Sequence, residues 1–376
     1  MAENSNKDVL APNEEKVEEI SLSRRFLNFR TLLSFALAIG LIVFIFERLD
    51  INFSSISTTV SSCSPLYYIL AFASYYLTFP LRALRWRVLL KNAGFREDRG
   101  VNLPSLWGLT QIMIINWFAN CVLYARLGDA YRSYLLKEHS GVSFSKAIGT
   151  VLAERVIDIV VVFLLLMGTL FGLLGSRGMV VAAAVFGAGT LMLAIIAILI
   201  LAVGRFGGFV ERCLPGKVKS VYKLFREGTL GSFERLPLLG FLSIVIWLLE
   251  AGRLLLVSHA LGIPIGFSLV LFAALANALL TAVPFTPGGL GLVEAGLIGL
   301  LTISLSREGA LSIVLVDRSI SFLSVIAIGA LIFVWWHFKQ ARRGVSRVPS
   351  PAYNPGKGEE GRAAPDGKRD SVRKII

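Results

Sequence analysis

Long runs of apolar residues, separated by short polar connections, fill most of this 376-residue chain. A helix that crosses the hydrocarbon layer of a bilayer needs about 20 predominantly apolar residues, and several of these runs reach that length. Only 17% of the residues are charged, against roughly a quarter in ordinary soluble domains. The chain is therefore predicted to be an all-α, polytopic helical membrane protein. The runs cover residues 31–46, 65–90, 105–123, 151–174, 179–203, 237–260, 266–283, 289–304 and 310–336.

Polar tails flank the apolar runs and divide the chain into three regions. Residues 1–29 and 339–376 are rich in polar and charged residues, and they are predicted to be disordered tails on either side of a transmembrane domain at residues 30–338. One polar connection, residues 204–236, alternates basic with apolar residues. This pattern suits a helix on the membrane surface, and a solvated loop is the alternative.

Lysine and arginine near the ends of the runs predict the topology, because cytoplasmic flanks carry an excess of these residues. Basic residues before the first run, and those from Arg82 to Lys91, place both regions inside. A full crossing by run 105–123 would put the basic residues after it outside, so this run is predicted to be re-entrant. Both termini are then predicted to be cytoplasmic, in the cell membrane. Runs 266–283 and 289–304 are either two full spans or two half-helices.

Ionisable residues inside apolar runs are costly, so four concentrations of them are the candidate functional sites. The first begins at Asn120. On a helix, Asp129 is three residues from both Arg126 and Arg132, so one carboxylate can hold two guanidinium groups as part of an anion clamp. The alternative is an interfacial helix whose arginines contact lipid headgroups.

The second concentration lies at the start of run 151–174. Glu154 and Asp158 are one turn apart with Arg155 beside them, so the cluster is predicted to enter the membrane partly self-neutralised. The alternative is a helix end at the interface, where acidic residues in the first turn also suit the helix dipole.

The third concentration is a break between two apolar runs. Two prolines and three glycines within eight residues interrupt any helix, and Thr286 with Pro287 is predicted to start the next one. The backbone amides from Gly288 to Leu290 would then point out of a helix N-terminus, which favours anions, and Glu294 lies about two turns further on. The alternative is an ordinary loop between two spans.

The fourth set consists of two pairs in apolar runs. Glu250 and Arg253 are three residues apart and are predicted to pair with each other. Arg318 follows Asp317 directly and therefore lies on a different side of its helix, so it is predicted to reach another helix or a ligand. Structural ion pairs between helices are the alternative for both.

Other function classes have no support in the sequence. G-x-S-x-G, P-loop and H-E-x-x-H motifs are absent, so no catalytic residue is assigned. The three cysteines and three histidines are too dispersed for a disulfide framework or a local metal site. The net charge of +13 is not accompanied by a nucleic-acid-binding motif. No cofactor, metal or nucleic-acid partner is expected.

Three ordered motifs resemble one known family. They are Arg126-Leu-Gly-Asp129, then Glu154-Arg155-Val-Ile-Asp158, then Pro284-x-x-Pro287-Gly-Gly-x-Gly-x-x-Glu294. Residues 30–340 are similar to the lysylphosphatidylglycerol synthase transmembrane-region family. This resemblance implies a flippase-like membrane protein with about eight membrane segments, including re-entrant or broken helices.

Two departures from that family limit what the resemblance implies. The family commonly has Pro-x-Arg-x-Gly-Glu where this chain has Tyr124-Ala-Arg-Leu-Gly-Asp129, so a proline turn is missing. Lysylphosphatidylglycerol synthases also carry a soluble aminoacyl-transferase domain after the membrane part, and here a short polar tail follows it. Aminoacyl transfer is therefore not expected.

The resulting hypothesis is a lipid translocase that binds an anionic phospholipid or a polyprenyl-phosphate-linked headgroup within the membrane. The alternatives are an intramembrane lipid-modifying transferase and a non-transporting membrane partner of a separate lipid-synthesis enzyme. The candidate binding residues are Asn120, Arg126, Asp129, Arg132, Glu154, Arg155, Asp158, Pro287, Gly288, Gly289, Glu294 and Arg318.

Overall fold

The computed structural model describes residues 53–173, 179–282 and 286–344, together with Gly40. The first predicted run, 31–46, and both predicted tails outside these ranges are therefore not described. The helices are α1 (Phe53–Ser61), α2 (Pro65–Asn92), α3 (Leu106–Val122), α4 (Leu127–Ser140), α5 (Phe144–Leu173), α6 (Met179–Arg205), α7 (Gly207–Cys213), α8 (Gly216–Gly231), α9 (Leu236–Ala260), α10 (Phe267–Ala282), α11 (Leu292–Leu301), α12 (Arg307–Arg318) and α13 (Ser324–Gly344). The predicted all-α class is confirmed.

The chain divides into two compact units. Residues 1–333 contain the helix bundle, and residues 334–376 contain the end of α13. In the described part, two helical stretches are long and apolar enough to cross a membrane, Leu236–Ala260 and Arg307–Lys339. A third is obtained if Gly189–Arg205 and Gly207–Cys213, which meet at an angle of 63°, count as one span. The long helices α2 and α5 are not in this set, and both carry buried charged residues.

An antiparallel pair of long helices, α2 and α9, forms the centre of the bundle. The amide of Ser64, just before α2, donates to the carbonyl of Ala260 at the end of α9 at 2.7 Å. At the opposite end, the side-chain amide of Asn92 donates to the carbonyl of Ser232 at 3.2 Å. Each helix therefore begins where the other ends.

The helices α3 and α4 form a re-entrant pair. They lie between α2 and α5 in the chain, and Lys146 near the start of α5 lies 5.8 Å from the ring of Phe95 just after α2. The pair therefore leaves and rejoins the bundle at one end, as the charge pattern of run 105–123 predicted. At 1.5 Å per residue, the 17-residue α3 is about 26 Å long, shorter than a hydrocarbon layer of roughly 30 Å.

The helices α10 and α11 form a second pair of short helices. They contain 16 and 10 residues, too few for complete spans. The residues that flank the pair lie together, because a Cβ atom added at Gly309 would come 3.6 Å from Cδ1 of Ile263. Two full spans would also bring these flanks together, so it is the short lengths of α10 and α11 that favour two half-helices in residues 266–304.

The predicted surface stretch at 204–236 contains the helices α7 and α8. The alternation of basic and apolar residues therefore indicated a helix correctly. Helix α8 packs closely on α5, since a Cβ atom added at Gly228 would lie 2.1 Å from the carbonyl oxygen of Lys146. A Cβ atom at Gly149 would likewise lie 2.3 Å from the carbonyl oxygen of Phe225. Glycine at both positions permits this contact between backbones.

Candidate functional site

A group of buried charges lies where α2, α4 and α5 meet, and one of its members, Asp158, also borders the cavity described below. We call Arg85, Arg132, Glu154 and Asp158 the sealed cluster. Nη1 of Arg85 donates to Oδ1 of Asp158 at 2.5 Å, and its Nη2 donates to Oε1 of Glu154 at 2.7 Å. Nη1 of Arg132 lies 2.8 Å from Oε2 of Glu154. The cluster contains two positive and two negative side chains, and all four are buried, so its charges balance.

Aromatic and hydroxyl groups complete the enclosure of the sealed cluster. The guanidinium of Arg132 lies 5.1 Å from the ring centroid of Trp86, and Ser243 accepts a hydrogen bond from Arg85 at 2.6 Å. The indole N–H of Trp247 donates to Asp158 at 3.3 Å. A buried ion pair needs such additional hydrogen bonds because its charges have lost their contact with water.

Next to the sealed cluster is a cavity of about 150 Å³. Its wall comes from α2, α3, α5, α9 and α10 and from the helix breaks, so residues far apart in the chain face one space. The ionisable residues on the wall are Arg82, Arg126, Arg155, Asp158, Glu250, Arg253 and Arg318, with Cys121 and Tyr75 beside them. Five arginines and two carboxylates therefore line it, which gives the wall an excess of positive charge.

Three of these arginines, Arg126, Arg155 and Arg318, form what we call the cavity face. Nη2 of Arg155 donates to both carboxylate oxygens of Asp129, at 2.7 and 2.9 Å. Nε of Arg318 donates to Oε1 of Glu294 at 2.6 Å. Nη1 of Arg126 instead donates to a backbone carbonyl, that of Thr281, at 2.8 Å, and its nearest carboxylate oxygen is 3.8 Å away on Asp129. Arg126 is therefore the least neutralised of the three.

The indole of Trp117 lies among the arginines of the wall. Its ring centroid is 5.1 Å from the guanidinium carbon of Arg82 and 6.0 Å from those of Arg126 and Arg155. The electron-rich ring face attracts cations, so one tryptophan helps to hold three like charges close together.

A second ion-pair group borders the cavity where α2, α9 and α12 meet. Nη2 of Arg82 donates to Glu250 at 2.9 Å, and Arg253 lies 3.3 Å from the other oxygen of the same carboxylate. The predicted pairing of Glu250 with Arg253 is confirmed. Arg253 also pairs with Asp317. These two arginines and two carboxylates balance one another.

Several residues that line the cavity have a buried donor atom with no hydrogen-bond partner among the described residues. A buried polar group without a partner is costly, and such groups mark places where water or a ligand binds. These atoms are Nε of Arg82, Arg126, Arg155 and Arg253, Nη2 of Arg318, Nδ2 of Asn120 and Oγ1 of Thr286. Every one of them can donate, so an acceptor with several oxygen atoms would suit the cavity.

Two interruptions of the helices meet beside this cavity. At the first, Ala125 and Arg126 have φ angles of 58° and 53°, and at the second, Gly288 has a φ angle of 59°. A Cβ atom added at Gly288 would lie 3.3 Å from Cα of Cys121 and 2.6 Å from the ring of Phe322. Glycine there lets the second break contact both α3 and the turn that follows α12.

Comparison with known proteins identifies the family. The sequence matches the family described as Lysylphosphatidylglycerol synthase TM region over residues 31–329. The chain belongs to this family. It is therefore a membrane protein. The buried charges described above lie within residues 31–329, the part of the chain that matches the family.

Individual relatives are similar to different extents. A UPF0104 membrane protein of Methanocaldococcus jannaschii is 32% identical over 222 residues, which cover 57% of this chain and 93% of the relative. A UPF0104 membrane protein of Methanothermobacter thermautotrophicus is 24% identical over 343 residues, covering 82% and 94%. Glycosyltransferase AglD of Haloferax volcanii is 26% identical over 287 residues, which cover 65% of this chain and 45% of that protein.

The structure places most of the predicted site residues around the cavity or the sealed cluster, with three changes in their contacts. Asp129 binds Arg155 of α5 more closely than Arg126 or Arg132, whose nitrogens lie 3.8 and 4.0 Å away. Asp129 therefore pairs with both predicted arginines within 4.0 Å, and its shorter contact with Arg155 was not predicted. Adjacent residues of a helix point about 100° apart, which lets Arg155 face Asp129 while Glu154 faces Arg85.

The second change concerns the acidic pair of α5. Glu154 and Asp158 were predicted to be neutralised by Arg155 in the same helix. They are instead neutralised by Arg85 from α2. Arg85 was predicted only as a cytoplasmic flanking charge, yet its side chain is 0% exposed. A sequence signal existed, because Arg82 and Arg85 are one turn apart and can share a helix face.

The third change concerns the helix break at Pro287. The amides of Gly289 and Leu290 donate to Thr286 and Pro287 within a single turn, both at 3.1 Å, so these amides are not available to a ligand as predicted. Helix α11 begins only at Leu292, and the Glu294 carboxylate accepts from the amide of Gly291 at 2.5 Å. The helix N-terminus therefore already holds an anion from its own chain.

The other predicted residues also have defined positions. Oδ1 of Asn120 accepts from the amide of Gly128 at 2.9 Å, which fixes the start of α4, while its Nδ2 is left on the cavity wall. Pro287 and Gly289 are buried in the turn before α11. Among the described residues, no group of three or more His, Cys, Asp or Glu side chains is arranged to hold a metal ion.

Proposed function

We propose that this protein is a lipid translocase that binds an anionic headgroup in the arginine-lined cavity and moves it between leaflets. The lipid tails stay in the bilayer, so only the headgroup needs a polar path. The headgroup belongs to a phospholipid or to a polyprenyl-phosphate-linked intermediate. The single observation that carries this proposal is the set of unpartnered donors in the residues that line the cavity.

The charge count supports the same proposal. The sealed cluster, the cavity face and the second ion-pair group, taken with their partners, contain seven arginines, namely Arg82, Arg85, Arg126, Arg132, Arg155, Arg253 and Arg318. They contain six carboxylates, namely Asp129, Glu154, Asp158, Glu250, Glu294 and Asp317. Seven minus six leaves one positive charge. A phosphodiester carries one negative charge and its oxygens accept hydrogen bonds from guanidinium groups in bidentate geometry.

A transferase acting on a lipid phosphate is the second candidate, and one relative is named a glycosyltransferase. Such an enzyme needs a general base within reach of the reacting hydroxyl. Both carboxylates on the cavity wall, Asp158 and Glu250, are engaged by arginines. This arrangement favours binding over group transfer. A non-transporting membrane partner of a separate lipid-synthesis enzyme is the third candidate.

The proposed setting is the cell membrane, with both termini in the cytoplasm. The basic residues near the ends of the apolar runs support this orientation. The proposed ligand is an anionic membrane lipid, and a separate lipid-synthesis enzyme is a proposed partner that would supply or consume it.

Reconstitution of the purified full-length chain in liposomes separates these candidates. Fluorescent phosphatidylglycerol is incorporated, and a membrane-impermeant quencher reports the fraction in the outer leaflet over time. Translocation predicts complete quenching with the wild type, incomplete quenching with Arg126→Ala, and wild-type behaviour with the exposed control Arg96→Ala. A new lipid product would support the transferase, and neither movement nor product would support the partner role.

A further inference from the structure

The helices around the cavity occur twice in the same order. Residues 65–173 contain a long helix, a broken pair and a second long helix, as α2, α3 with α4, and α5. Residues 236–333 repeat this order as α9, α10 with α11, and α12 with the start of α13. The break in the first pair contacts the break in the second pair. The order of elements therefore indicates an internal repeat centred on the cavity.

Chemically equivalent residues stand at nearly constant separations. A shift of 163 residues carries Glu154 to Asp317 and Arg155 to Arg318 (154 + 163 = 317; 155 + 163 = 318). The same shift carries the Leu-Gly pair at 127–128 to the Leu-Gly pair at 290–291. A shift of 168 residues carries Arg85 to Arg253 (85 + 168 = 253). The position of the acid after each Leu-Gly pair differs, because Asp129 follows Gly128 directly, whereas Glu294 is the third residue after Gly291.

Equivalent residues also make equivalent contacts. Arg155 pairs with Asp129 at 2.7 Å, and Arg318 pairs with Glu294 at 2.6 Å. Each pair joins the second long helix of its half to the shorter helix that follows the break. These two contacts of the same kind indicate that the repeat is present in the three-dimensional arrangement of the helices as well as in the sequence.

The first long helices of the two halves show the same correspondence. Arg85 binds Glu154 in the first half, and Arg253 binds Asp317 in the second. Arg85 also donates to Ser243 of the other half, at 2.6 Å. The residue equivalent to Ser243 is Tyr75 (75 + 168 = 243), and Arg253 lies over its ring at 5.2 Å. Contacts between the halves are therefore reciprocal.

The repeat is inverted. The equivalent helices α2 and α9 are antiparallel, since Ser64 meets Ala260 and Asn92 meets Ser232. The two broken pairs consequently enter the bundle from opposite ends. Arg82 and Glu250 are themselves equivalent (82 + 168 = 250) and pair with each other at 2.9 Å, as residues next to a two-fold axis do.

From this arrangement we infer that the two halves exchange conformations, so that the headgroup phosphate passes between the equivalent arginines Arg155 and Arg318. The inference rests on the proposed translocation and names the path of the phosphate. Inverted repeats supply a transporter with two states that face opposite sides of the membrane, because each half can adopt the conformation of the other. The phosphate is bound in turn by one half and then by its counterpart.

An asymmetry between the halves identifies what must change. Counted from the start of the helix that precedes each break, Asn116 and Asn277 occupy the same position, the eleventh, at a separation of 161 residues. Asn277 lines the cavity, whereas Asn116 is buried, with 3% of its surface exposed. The backbone carbonyl oxygen of Asn116 lies only 2.2 Å from a Cβ atom added at Gly128, so this part of α3 is packed against α4. Exchange therefore predicts a second state in which Asn116 lines the cavity and Asn277 is buried.

Cysteine labelling from each side of the membrane tests this inference. The native cysteines at 63, 121 and 213 are replaced by serine in the full chain, and Asn116→Cys and Asn277→Cys are introduced singly. Proteoliposomes containing phosphatidylglycerol are treated with a membrane-impermeant maleimide, either outside or trapped inside. Exchange predicts that the two positions are labelled from opposite sides. Labelling of both positions from one side, of one position alone, or of neither would overturn it.

The quenching assay on the same proteoliposomes separates this inference from the proposed function. If the two positions are labelled from opposite sides but the lipid does not move, the inferred exchange between the halves stands and the proposed translocation of this lipid is wrong. If the lipid moves but both positions are labelled from the same side, the proposed translocation stands and the inferred exchange is wrong. Where Asn116→Cys does not fold, the matched variants Arg155→Lys and Arg318→Lys replace it. Exchange predicts that both slow lipid movement by the same factor, and slowing by only one of them contradicts it.

Discussion

Two groups of arginines in one bundle, the sealed cluster and the cavity face, differ in how their charge is neutralised. In the sealed cluster, two arginines meet two carboxylates, and their side chains are 0 to 6% exposed. In the cavity face, three arginines share Asp129 and Glu294 and are 13 to 26% exposed. A balanced, enclosed set of charges holds helices together, whereas an unbalanced set next to a cavity can accept an anion.

Among substitutions that test this difference between the two groups of arginines, the largest effect is expected at Arg85. Replacing it in Arg85→Met leaves Glu154 and Asp158 buried without their main counter-charge, so we expect a loss of about 3–5 kcal/mol in the free energy of unfolding. The measurement is the denaturation of the purified full chain in detergent. Arg96→Met, at a side chain 44% exposed, is the control and is expected to change little. A stable Arg85→Met protein would show that the sealed cluster is not structural.

A smaller loss of stability is expected where α3 and α4 are closely packed. In Gly128→Ala, the new methyl group would lie 2.2 Å from the carbonyl oxygen of Asn116. Overpacking of this kind costs about 1–3 kcal/mol, and the same denaturation assay measures it. Gly168→Ala in α5 is the matched control, since a Cβ atom there has no neighbour within 4 Å. Equal melting of both variants would argue against the close contact of α3 with α4.

On the cavity face, we expect a change in binding with little change in folding. Arg126→Ala removes the least neutralised arginine, so the affinity for phosphatidylglycerol is expected to fall about tenfold or more, equivalent to 1.4 kcal/mol. Quantification of lipid retained through purification, by mass spectrometry, measures the effect against Arg96→Ala. If Arg126→Ala unfolds the protein as Arg85→Met does, the two groups of arginines do not differ in the way described.

The smallest effect is expected when the positive charge at position 155 is kept and the planar arrangement of guanidinium donors is lost. Arg155→Lys retains a cation near Asp129 but cannot offer the planar array of donors that a guanidinium provides. We expect a loss of roughly 1 kcal/mol, about fivefold in lipid affinity, with unchanged stability. The same lipid quantification detects it. An effect as large as that of Arg155→Ala would mean that bidentate geometry, and not charge, governs binding.

The helix breaks show how far sequence predicts this fold. The second break was predictable, because Pro and Gly near position 287 cannot continue a helix. The first break lacks both residue types, and Ala125 and Arg126 adopt positive φ angles only because surrounding contacts hold them there. The charge pattern of the whole chain nevertheless predicted that residues 105–123 turn back, since topology depends on where lysine and arginine accumulate.

The burial of two arginines of α2 was not predicted from the sequence. Arg82 and Arg85 lie near the end of an apolar run, which favours a cytoplasmic position. Helix α2 continues to Asn92, so Arg85 lies about two turns, and Arg82 almost three turns, before its end. Their burial depends on Glu154, Asp158 and Glu250, which come from helices far along the chain. Local patterns predict which residues are ionisable, but partners between helices are set by packing.

The most direct test of the central claim is the position of a bound headgroup, determined by electron cryo-microscopy of the full chain in nanodiscs containing phosphatidylglycerol. The account predicts phosphate density inside the cavity, within hydrogen-bonding distance of Arg126 and at least one other arginine of the cavity face. Phosphate density confined to the outer surface of the bundle, with the arginines of the cavity face bound only to protein groups, would contradict it.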